Sequence, residues 1–149
     1  MEQKCKVCDA RMARPRVLIA DDCPSILECV TNILSRDYDV VASVSDGLAA
    51  VDGAIMLQPD VIVLDISMPV LSGLEATARL TAAGSPTRIV LLTVHEDPDF
   101  LEAARSAGAH GYVVKRTMTT DLLPTIRTVL SGGFSFVLPA AFEIDAVNP

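Results

Sequence analysis

Residues 60–69 read Asp-Val-Ile-Val-Leu-Asp-Ile-Ser-Met-Pro, and this stretch decides the fold. Its aliphatic run, residues 61–64, is apolar at successive positions, which is typical of a parallel strand covered on both faces. Asp65 follows the run directly, so a carboxylate is expected at the end of a buried strand. In parallel α/β sheets, ligands bind at the carboxyl ends of the strands. The stretch therefore predicts a strand that brings an acidic side chain to a ligand-binding edge.

Short aliphatic runs alternate with helical segments along the whole chain. The runs cover residues 16–20, 38–44, 60–64, 88–94 and 111–114. Helices are predicted from their ends, because proline and capping side chains favour a first turn and glycine favours a last one. The first predicted helix begins at Pro24, and the second spans residues 46–58. The third begins at the capping box of Ser72 and Glu75, and the fourth spans residues 97–108. The fifth carries the final apolar stripe and ends at Gly132.

This alternation predicts an α/β fold. Five strand–helix units in sequence, (βα)5, give a doubly wound, parallel five-stranded sheet with helices on both faces. Within the second helix, the spacing of Leu48, Val51 and Ile55 predicts that these side chains face the sheet. Pro124 would break a helix interior, so we expect it in the first turn of the fifth helix.

Length and composition fit one domain with an aliphatic core. The chain has 149 residues, of which 50% are apolar and 4% aromatic, with no tryptophan. That content excludes a disordered chain and disfavours nucleic-acid binding by base stacking. No apolar run reaches the length of a membrane span, and residues 1–16 hold no apolar leader segment. A cytoplasmic protein with no membrane partner is therefore expected.

Charge is unevenly distributed along the chain. Residues 1–16 hold five basic and two acidic side chains, whereas residues 17–149 hold seven basic and seventeen acidic ones, and the net charge is −7. An acidic body is a poor ligand for the phosphate backbone of nucleic acids. We therefore expect no direct nucleic-acid binding by this chain.

Polar side chains of complementary chemistry follow four of the predicted strands. Asp21 and Asp22 follow the first strand, and Asp65 follows the third. Thr93 comes after the fourth and Lys115 after the fifth. Because these strand ends share one edge of the sheet, three carboxylates, a hydroxyl and an ammonium group should converge there.

This set of side chains predicts phosphoryl transfer. Clustered carboxylates repel unless a cation joins them, and their oxygens suit Mg²⁺. A carboxylate such as Asp65 also acts as a nucleophile that forms an aspartyl-phosphate. Asp21 and Asp22 would then surround the metal. Lys115 and Thr93 would contact the phosphoryl oxygens, since such a transfer needs a cation and hydrogen-bond donors there.

Four segments, in this order, match a known set of motifs. They are residues 17–22 (VLIADD), 61–69 (VIVLDISMP) with Gly73, 91–93 (LLT) and 108–115 (GAHGYVVK). With them, the chain resembles the receiver domain of two-component response regulators. The resemblance implies the flavodoxin-like receiver fold over residues 15–133.

The resemblance implies a phosphoacceptor and a metal site. Asp65 would accept a phosphoryl group from a sensor histidine kinase. The implied cofactor is Mg²⁺, with ligands Asp21, Asp22, Asp65 and the backbone carbonyl of Ser67. Catalysis would be limited to the chain's own phosphorylation and dephosphorylation, so an enzyme acting on other substrates is not implied.

The resemblance also implies a switch. Thr93 and Tyr112 would be the switch residues, and Lys115 would contact the phosphoryl group. The face formed by the fourth helix, the fifth strand and the fifth helix would change on phosphorylation. Val94 departs from the family, which often has a smaller residue beside the switch threonine, and its bulk is expected to narrow access to Asp65. His95, two residues after Thr93, is either a residue that lies over the phosphorylation pocket and controls access to it or an exposed loop histidine.

Residues 93–98 (TVHEDP) and 121–133 resemble one group of receivers in particular, the NarL/FixJ group, which precedes a LuxR-type helix-turn-helix. The resemblance implies control of transcription through an output domain that this chain does not contain, and a homodimer on phosphorylation. The alternative is a single-domain regulator, and the sequence is compatible with both. Residues 1–14 would be a disordered extension, and residues 134–149 a tail or the start of a linker to the output domain.

Arg116 departs from the receiver pattern, since many receivers have proline at this position.

Three other functions are disfavoured by individual residues. A phosphatase of the haloacid-dehalogenase type needs a second aspartate two residues after the nucleophile, where this chain has Ser67. A nucleotide-binding Rossmann domain needs a glycine-rich turn after the first strand, whereas residues 21–24 read Asp-Asp-Cys-Pro. A docking module without phosphorylation would lack part of the acidic set, which this chain retains.

Overall fold

The computed structural model describes residues 13–136 and 138, and strands alternate with helices throughout. The strands are β1 (Arg16–Ala20), β2 (Asp39–Val44), β3 (Val61–Leu64), β4 (Arg88–Thr93), β5 (Gly111–Val114) and β6 (Ser135–Phe136). The helices are α1 (Pro24–Leu34), α2 (Gly47–Leu57), α3 (Gly73–Ala82), α4 (Pro98–Ala107) and α5 (Met118–Leu130). Most of the predicted extension, residues 1–14, and of the predicted tail, residues 134–149, lies outside the described residues.

The strands form one parallel sheet in the order β2-β1-β3-β4-β5-β6. The edge strand β2 thus lies on one side of β1, and β3 to β6 follow in sequence on the other side, which confirms the doubly wound α/β prediction. The order reverses between β1 and β3, so their carboxyl ends define the ligand-binding crevice.

Two apolar layers cover the faces of the sheet. On one face, α1 and α5 contribute Val30, Leu34, Leu122, Ile126 and Val129. On the other face, α2, α3 and α4 contribute Ala50, Val51, Ala54, Ala76, Leu80 and Ala104. Within the described part of the chain, no helix is both long and apolar enough to cross a bilayer.

The sheet has six strands in the described residues, so the prediction of five strands is one too few. Gly132, at φ 99°, turns the chain back after α5, and the Gly133 N–H donates to the Thr128 carbonyl at 3.0 Å. Ser135 N–H then donates to the His110 carbonyl at 2.9 Å, and β6 pairs with β5. A strand of two residues is too short for a hydrophobic period to reveal it.

Pro124 lies inside α5, and its prediction in the first turn is wrong. A 3₁₀ turn over Lys115–Thr117 directly follows β5, so α5 begins at Met118, well before the proline. Pro124 is on the exposed side, where water reaches the carbonyl that loses its donor. The buried stripe that includes Leu122 and Ile126 holds the helix on the sheet despite the missing hydrogen bond.

The buried face of α2 also differs from the prediction. Leu48 is 42% exposed and Ile55 is 53% exposed, so of the three predicted inward residues only Val51 is buried. A Cβ at Gly47 would lie 2.0 Å from the Leu71 carbonyl oxygen. The helix therefore packs so closely that small residues take the inward positions and larger ones face solvent.

Candidate functional site

Three carboxylates meet at the carboxyl edge of the sheet. Asp21 and Asp22 follow β1, and Asp65 follows β3. The two strands are neighbours, and Asp65 N–H donates to the Ala20 carbonyl at 2.9 Å. One oxygen of each carboxylate lies within 4.8 Å of the others. The structure thus brings together the three acidic residues singled out from the sequence.

The three carboxylates differ in exposure. Asp21 is 1% exposed and Asp65 is 5% exposed, whereas Asp22 is open to solvent. Asp21 is held by its backbone N–H, which donates to the Val44 carbonyl at 3.1 Å, and by its Oδ1, which accepts from Cys23 N–H at 2.9 Å. Asp22 therefore lies at the side from which water reaches the cluster.

A close approach of two backbone segments fixes the loop after Asp65. Gly73 N–H donates to the Ile66 carbonyl at 2.7 Å, and a Cβ at Gly73 would lie 2.0 Å from the Asp65 carbonyl oxygen. The contact leaves no room for a side chain there. The predicted capping box of Ser72 and Glu75 is present and starts α3 at this point. Helix α3 is thereby anchored against the backbone of Asp65.

Lys115 joins two of the carboxylates. Its Nζ lies 2.7 Å from Asp21 Oδ2 and 3.4 Å from Asp65 Oδ2. The lysine directly follows β5, so it reaches across the end of β4 to the acidic cluster. Asp21 Oδ2 is buried and meets this ammonium as an ion pair, without the geometry of a regular hydrogen bond.

Burial and mutual charge set the protonation of this cluster. Burial raises the pKa of Asp65, and the charge of Asp21 raises it further, against a partial lowering by Lys115. Burial lowers the pKa of Lys115, but its close contact with Asp21 and the charges of Asp65 and Asp21 outweigh burial and raise it overall. Lys115 is therefore a fixed cation at neutral pH. A further cation beside Asp65 would favour its ionised form.

The donor set fits a divalent cation of the Mg²⁺ type. Mg²⁺ takes oxygen ligands, is bound through one or two carboxylates and keeps several waters. Here the carboxylate oxygens are clustered, and the exposed Asp22 leaves room for water. Burial is the main cause of the raised pKa of Asp65, and the charge of Asp21 adds to it, so a bound cation would offset both. Ser67, whose carbonyl is a metal ligand implied by the family resemblance, lies in the loop two residues after Asp65.

Thr93 and Tyr112 both hold the backbone of His95. Thr93 ends β4 and is fully buried, and its Oγ1 accepts from His95 N–H at 3.2 Å. Tyr112, on β5, is also fully buried, and its hydroxyl donates to the His95 carbonyl at 2.7 Å. Burial, with the charges of Asp97 and Glu96, raises the pKa of Tyr112 to about 12, so the hydroxyl remains a donor. The two predicted switch residues therefore both form hydrogen bonds with the backbone of His95.

The side chain of His95 is held between two partners. Its ring stacks on Phe100, with centroids 3.9 Å apart and planes 8° apart. Its Nε2 lies 3.3 Å from Ser67 Oγ, across from the loop that follows Asp65. Val94 is 63% exposed and lies at the surface of the same loop. The structure thus brings together Ser67 and His95, which lie two residues after Asp65 and two residues after Thr93.

A bidentate ion pair joins Glu96, which follows His95, to Arg116, which follows Lys115. Arg116 Nε lies 3.0 Å from Glu96 Oε2, and Arg116 Nη2 lies 3.0 Å from Glu96 Oε1. Arg116 directly follows Lys115, and Glu96 lies in the loop after Thr93. The pair therefore connects the two strand ends that carry the lysine and the threonine.

Comparison with known families matches residues 17–127 to the response regulator receiver domain. The match covers most of the chain and contains the carboxylates, the lysine and both residues that hold His95. This chain belongs to the response regulator receiver family. The family predicted from the sequence is confirmed, and a receiver domain is a signalling module of response regulators rather than a conventional enzyme.

The receiver domain is similar to the transcriptional regulatory protein LnrK of Bacillus subtilis, with 30% identity over 135 residues, 89% of this chain and 60% of LnrK. It is 35% identical over 120 residues to the oxygen regulatory protein NreC of Staphylococcus epidermidis, covering 78% of this chain and 55% of NreC. The chain thus spans little more than half the length of these relatives.

A solved structure gives the same assignment. The signal receiver domain of NarL from Mycobacterium tuberculosis superposes with a TM-score of 0.77 at 30% identity, covering 80% of this chain and 98% of that chain. The resemblance to the NarL/FixJ group is therefore confirmed, as is the receiver fold.

Sequence reasoning missed two contacts of this receiver domain. Arg116 was singled out only for replacing a proline, and Glu96 only as part of a motif. Their opposite charges at neighbouring strand ends are a signal that pairs them once β4 and β5 are known to be adjacent. For Phe100 the sequence offers no comparable signal, because stacking on His95 depends on the path of the loop between them.

Proposed function

We propose that this receiver domain is a phosphoacceptor switch of a two-component system, in which Asp65 receives a phosphoryl group from a sensor histidine kinase. The observation that carries the proposal is the position of Lys115, whose ammonium group bridges Asp21 and Asp65 where the three carboxylates cluster. A carboxylate nucleophile, an acidic metal site and a fixed cation are the parts that phosphoryl transfer to an aspartate requires.

In the proposed transfer, an Asp65 oxygen attacks the phosphorus of a phosphohistidine on the kinase. An O–P bond forms and the N–P bond breaks, and the electron pair stays on the imidazole nitrogen, which takes a proton from solvent. Lys115, 3.4 Å from Asp65, contacts the phosphoryl oxygens. Mg²⁺, when bound, offsets the negative charge of the phosphoryl group. Its proposed ligands are Asp21, Asp22, Asp65 and the Ser67 carbonyl.

Thr93 and Tyr112 are the proposed switch residues. Thr93 donates its hydroxyl hydrogen to a phosphoryl oxygen, which draws the start of the loop toward Asp65. Because Thr93 holds the N–H of His95 and Tyr112 holds its carbonyl, a movement there reaches the face formed by α4, β5 and α5. A phosphoryl group shifts this equilibrium only by binding one state better, and the new contact with Thr93 supplies that preference.

The loop residues beside the site are proposed to control how long the phosphoryl group survives. Hydrolysis needs a water in line with the phosphorus, opposite the Asp65 oxygen. The His95 ring, held by Ser67 and Phe100, narrows that approach. Val94 adds bulk at the same opening.

The proposed output is control of transcription through a further domain. LnrK carries the name of a transcriptional regulatory protein and is longer than this chain, which supports the proposal. Residues 15–133 would form the receiver, with β6 beside it, and residues 134–149 would lead to the output domain. The acidic body fits a domain that does not touch nucleic acid itself. A homodimer on phosphorylation and a cytoplasmic location complete the proposal.

Treatment with acetyl phosphate and Mg²⁺ tests the proposed acceptor. Intact-mass spectrometry should show one added phosphoryl group on the parent and none on Asp65→Asn. Asp52→Asn is the matched control, because Asp52 is an exposed aspartate of α2 outside the cluster, and it should be modified like the parent. A phosphorylated Asp65→Asn protein would remove Asp65 from the role.

A further inference from the structure

The loop after β4 and the turn after β5 are tied together at successive points. The two strands pair as far as Thr93. Beyond Thr93, the Tyr112 hydroxyl holds the His95 carbonyl at 2.7 Å. Farther out, Arg116 holds Glu96 through two contacts of 3.0 Å. The ion pair is thus the outermost link between these strand ends.

We propose that Arg116 is a positioning residue for phosphoryl transfer. Arg116 directly follows Lys115, and Glu96 lies three residues after Thr93. Their ion pair therefore sets the spacing between the two side chains that would contact the phosphoryl oxygens. The inference rests on the proposed phosphoacceptor function, because a bound phosphoryl group is what needs both contacts at once.

The geometry of the pair suits this role. A guanidinium that meets a carboxylate through two parallel contacts fixes orientation as well as distance. The hydrogen bond from Arg116 lowers the pKa of Glu96, so that carboxylate is ionised at neutral pH. The Arg116 side chain is 54% exposed and that of Glu96 is 35% exposed. An exposed pair is modest in strength and weakened by salt, so its effect on the site should be a few-fold.

A second exposed ion pair provides the matched comparison. Arg105 and Glu102 lie 3.8 Å apart within α4, and both side chains are exposed. That pair links no two strand ends. Glu102→Gln and Glu96→Gln each remove one negative charge. The two variants differ because only Glu96→Gln breaks a contact between the segments that follow Thr93 and Lys115.

The inference is tested by titrating the protein with beryllofluoride, an analogue of the phosphoryl group, in saturating Mg²⁺. Two-dimensional NMR measures the affinity of the protein for beryllofluoride. Glu96→Gln and Arg116→Gln should each weaken binding by about two- to five-fold, the range open to an exposed ion pair. The double variant should lose no more than either single variant, because both remove one shared contact. Glu102→Gln should bind beryllofluoride like the parent. Mg²⁺ affinity and the thermal midpoint should change little in all four variants.

The two single variants change the net charge in opposite directions. If long-range electrostatics governed anion binding, Glu96→Gln would strengthen it and Arg116→Gln would weaken it, and that result would overturn the inference. Parent-like binding by both variants, or additive losses in the double variant, would overturn it as well. A parent protein that does not bind beryllofluoride at all would instead overturn the proposed function.

Discussion

The Lys115 ammonium lies nearer to Asp21 than to Asp65, at 2.7 Å against 3.4 Å. Asp21 thus takes the shorter ion pair. Asp65 is left as the carboxylate that burial and the charge of Asp21 make harder to ionise. Of the two buried carboxylates, Asp65 is therefore the freer to take a new partner, which under the proposed function is first a cation and then a phosphoryl group.

Mg²⁺ should stabilise the receiver domain by relieving repulsion among the carboxylates. At ten times its Kd, a ligand that binds only the folded state adds about 1.4 kcal/mol to the free energy of unfolding. In a domain of this size that raises Tm by roughly 3–6 °C. Asp22→Ala should lose most of this shift, because it removes the exposed member of the cluster. Calorimetry of each protein with Mg²⁺ and with EDTA measures the shift in Tm.

Asp52→Ala is the control for that experiment and should keep the full shift. Equal Mg²⁺ shifts in the parent and in Asp22→Ala would place the cation site elsewhere.

Thr93→Ala should accept a phosphoryl group but lose the structural response, since the substitution removes the hydroxyl that would contact the phosphoryl oxygen. Beryllofluoride with Mg²⁺ should shift the NMR signals of α4 in the parent and leave them nearly unshifted in the variant. Thr87→Ala is the matched control, because Thr87 is also buried but bonds the Pro59 carbonyl at the opposite end of the sheet. The switch assignment fails if the α4 shifts in Thr93→Ala equal those of the parent.

His95→Ala should speed dephosphorylation several-fold, because it removes the ring that stacks on Phe100 and contacts Ser67 beside the opening. The measurement is the decay of phosphorylated protein after the donor is removed. Phe100→Leu, which keeps apolar bulk but loses the stacking partner, should fall between the parent and His95→Ala. If phosphorylated His95→Ala decays at the parent rate, His95 has no part in controlling dephosphorylation.

Stability should fall at mildly acidic pH through His110. Burial lowers the pKa of His110, and the charge of Arg88 lowers it further. The His110 Nδ1 accepts from Ile89 N–H at 3.0 Å, which requires the unprotonated nitrogen. The contribution of His110 to stability is therefore complete above the ordinary histidine pKa, and it is lost as the pH falls through the lower pKa of the folded state.

Urea unfolding between about pH 7.5 and about pH 5 measures this loss. His110→Gln should lose less stability than the parent over that range. Carboxylates titrate in both proteins, so their effect cancels in the difference. Identical pH dependence in the two proteins would rule out His110 as the source.

The strand ends and the acidic cluster are predictable from the sequence. Buried parallel strands leave continuous aliphatic runs, and the residue after each run is fixed at the edge of the sheet. Asp21, Asp65 and Lys115 follow such runs, so their convergence needs no knowledge of side-chain packing.

The inward face of α2 is not predictable in the same way. Apolar spacing favours Leu48 and Ile55 as core residues, yet both are more than two-fifths exposed. The distance between helix and sheet decides the outcome: a Cβ at Gly53 would lie 2.8 Å from Leu18 Cδ1. That spacing is a tertiary property, which hydrophobic periodicity does not encode.

The contacts around His95 also depend on tertiary structure. The stacking on Phe100 and the link to Ser67 join segments whose separation is set by the loops after β3 and β4. A sequence position two residues after Asp65 or Thr93 indicates that a side chain lies near the opening. It does not indicate which side chains touch.

Reduction with borohydride tests the central claim most directly, because the reagent converts an aspartyl-phosphate into homoserine and so marks the acceptor in a peptide mass map. After treatment with acetyl phosphate and Mg²⁺, the account predicts homoserine in place of Asp65, with Asp21 and Asp22 unchanged. Homoserine in place of Asp21 or Asp22, or an unmodified Asp65 in protein that carries a phosphoryl group, would contradict it.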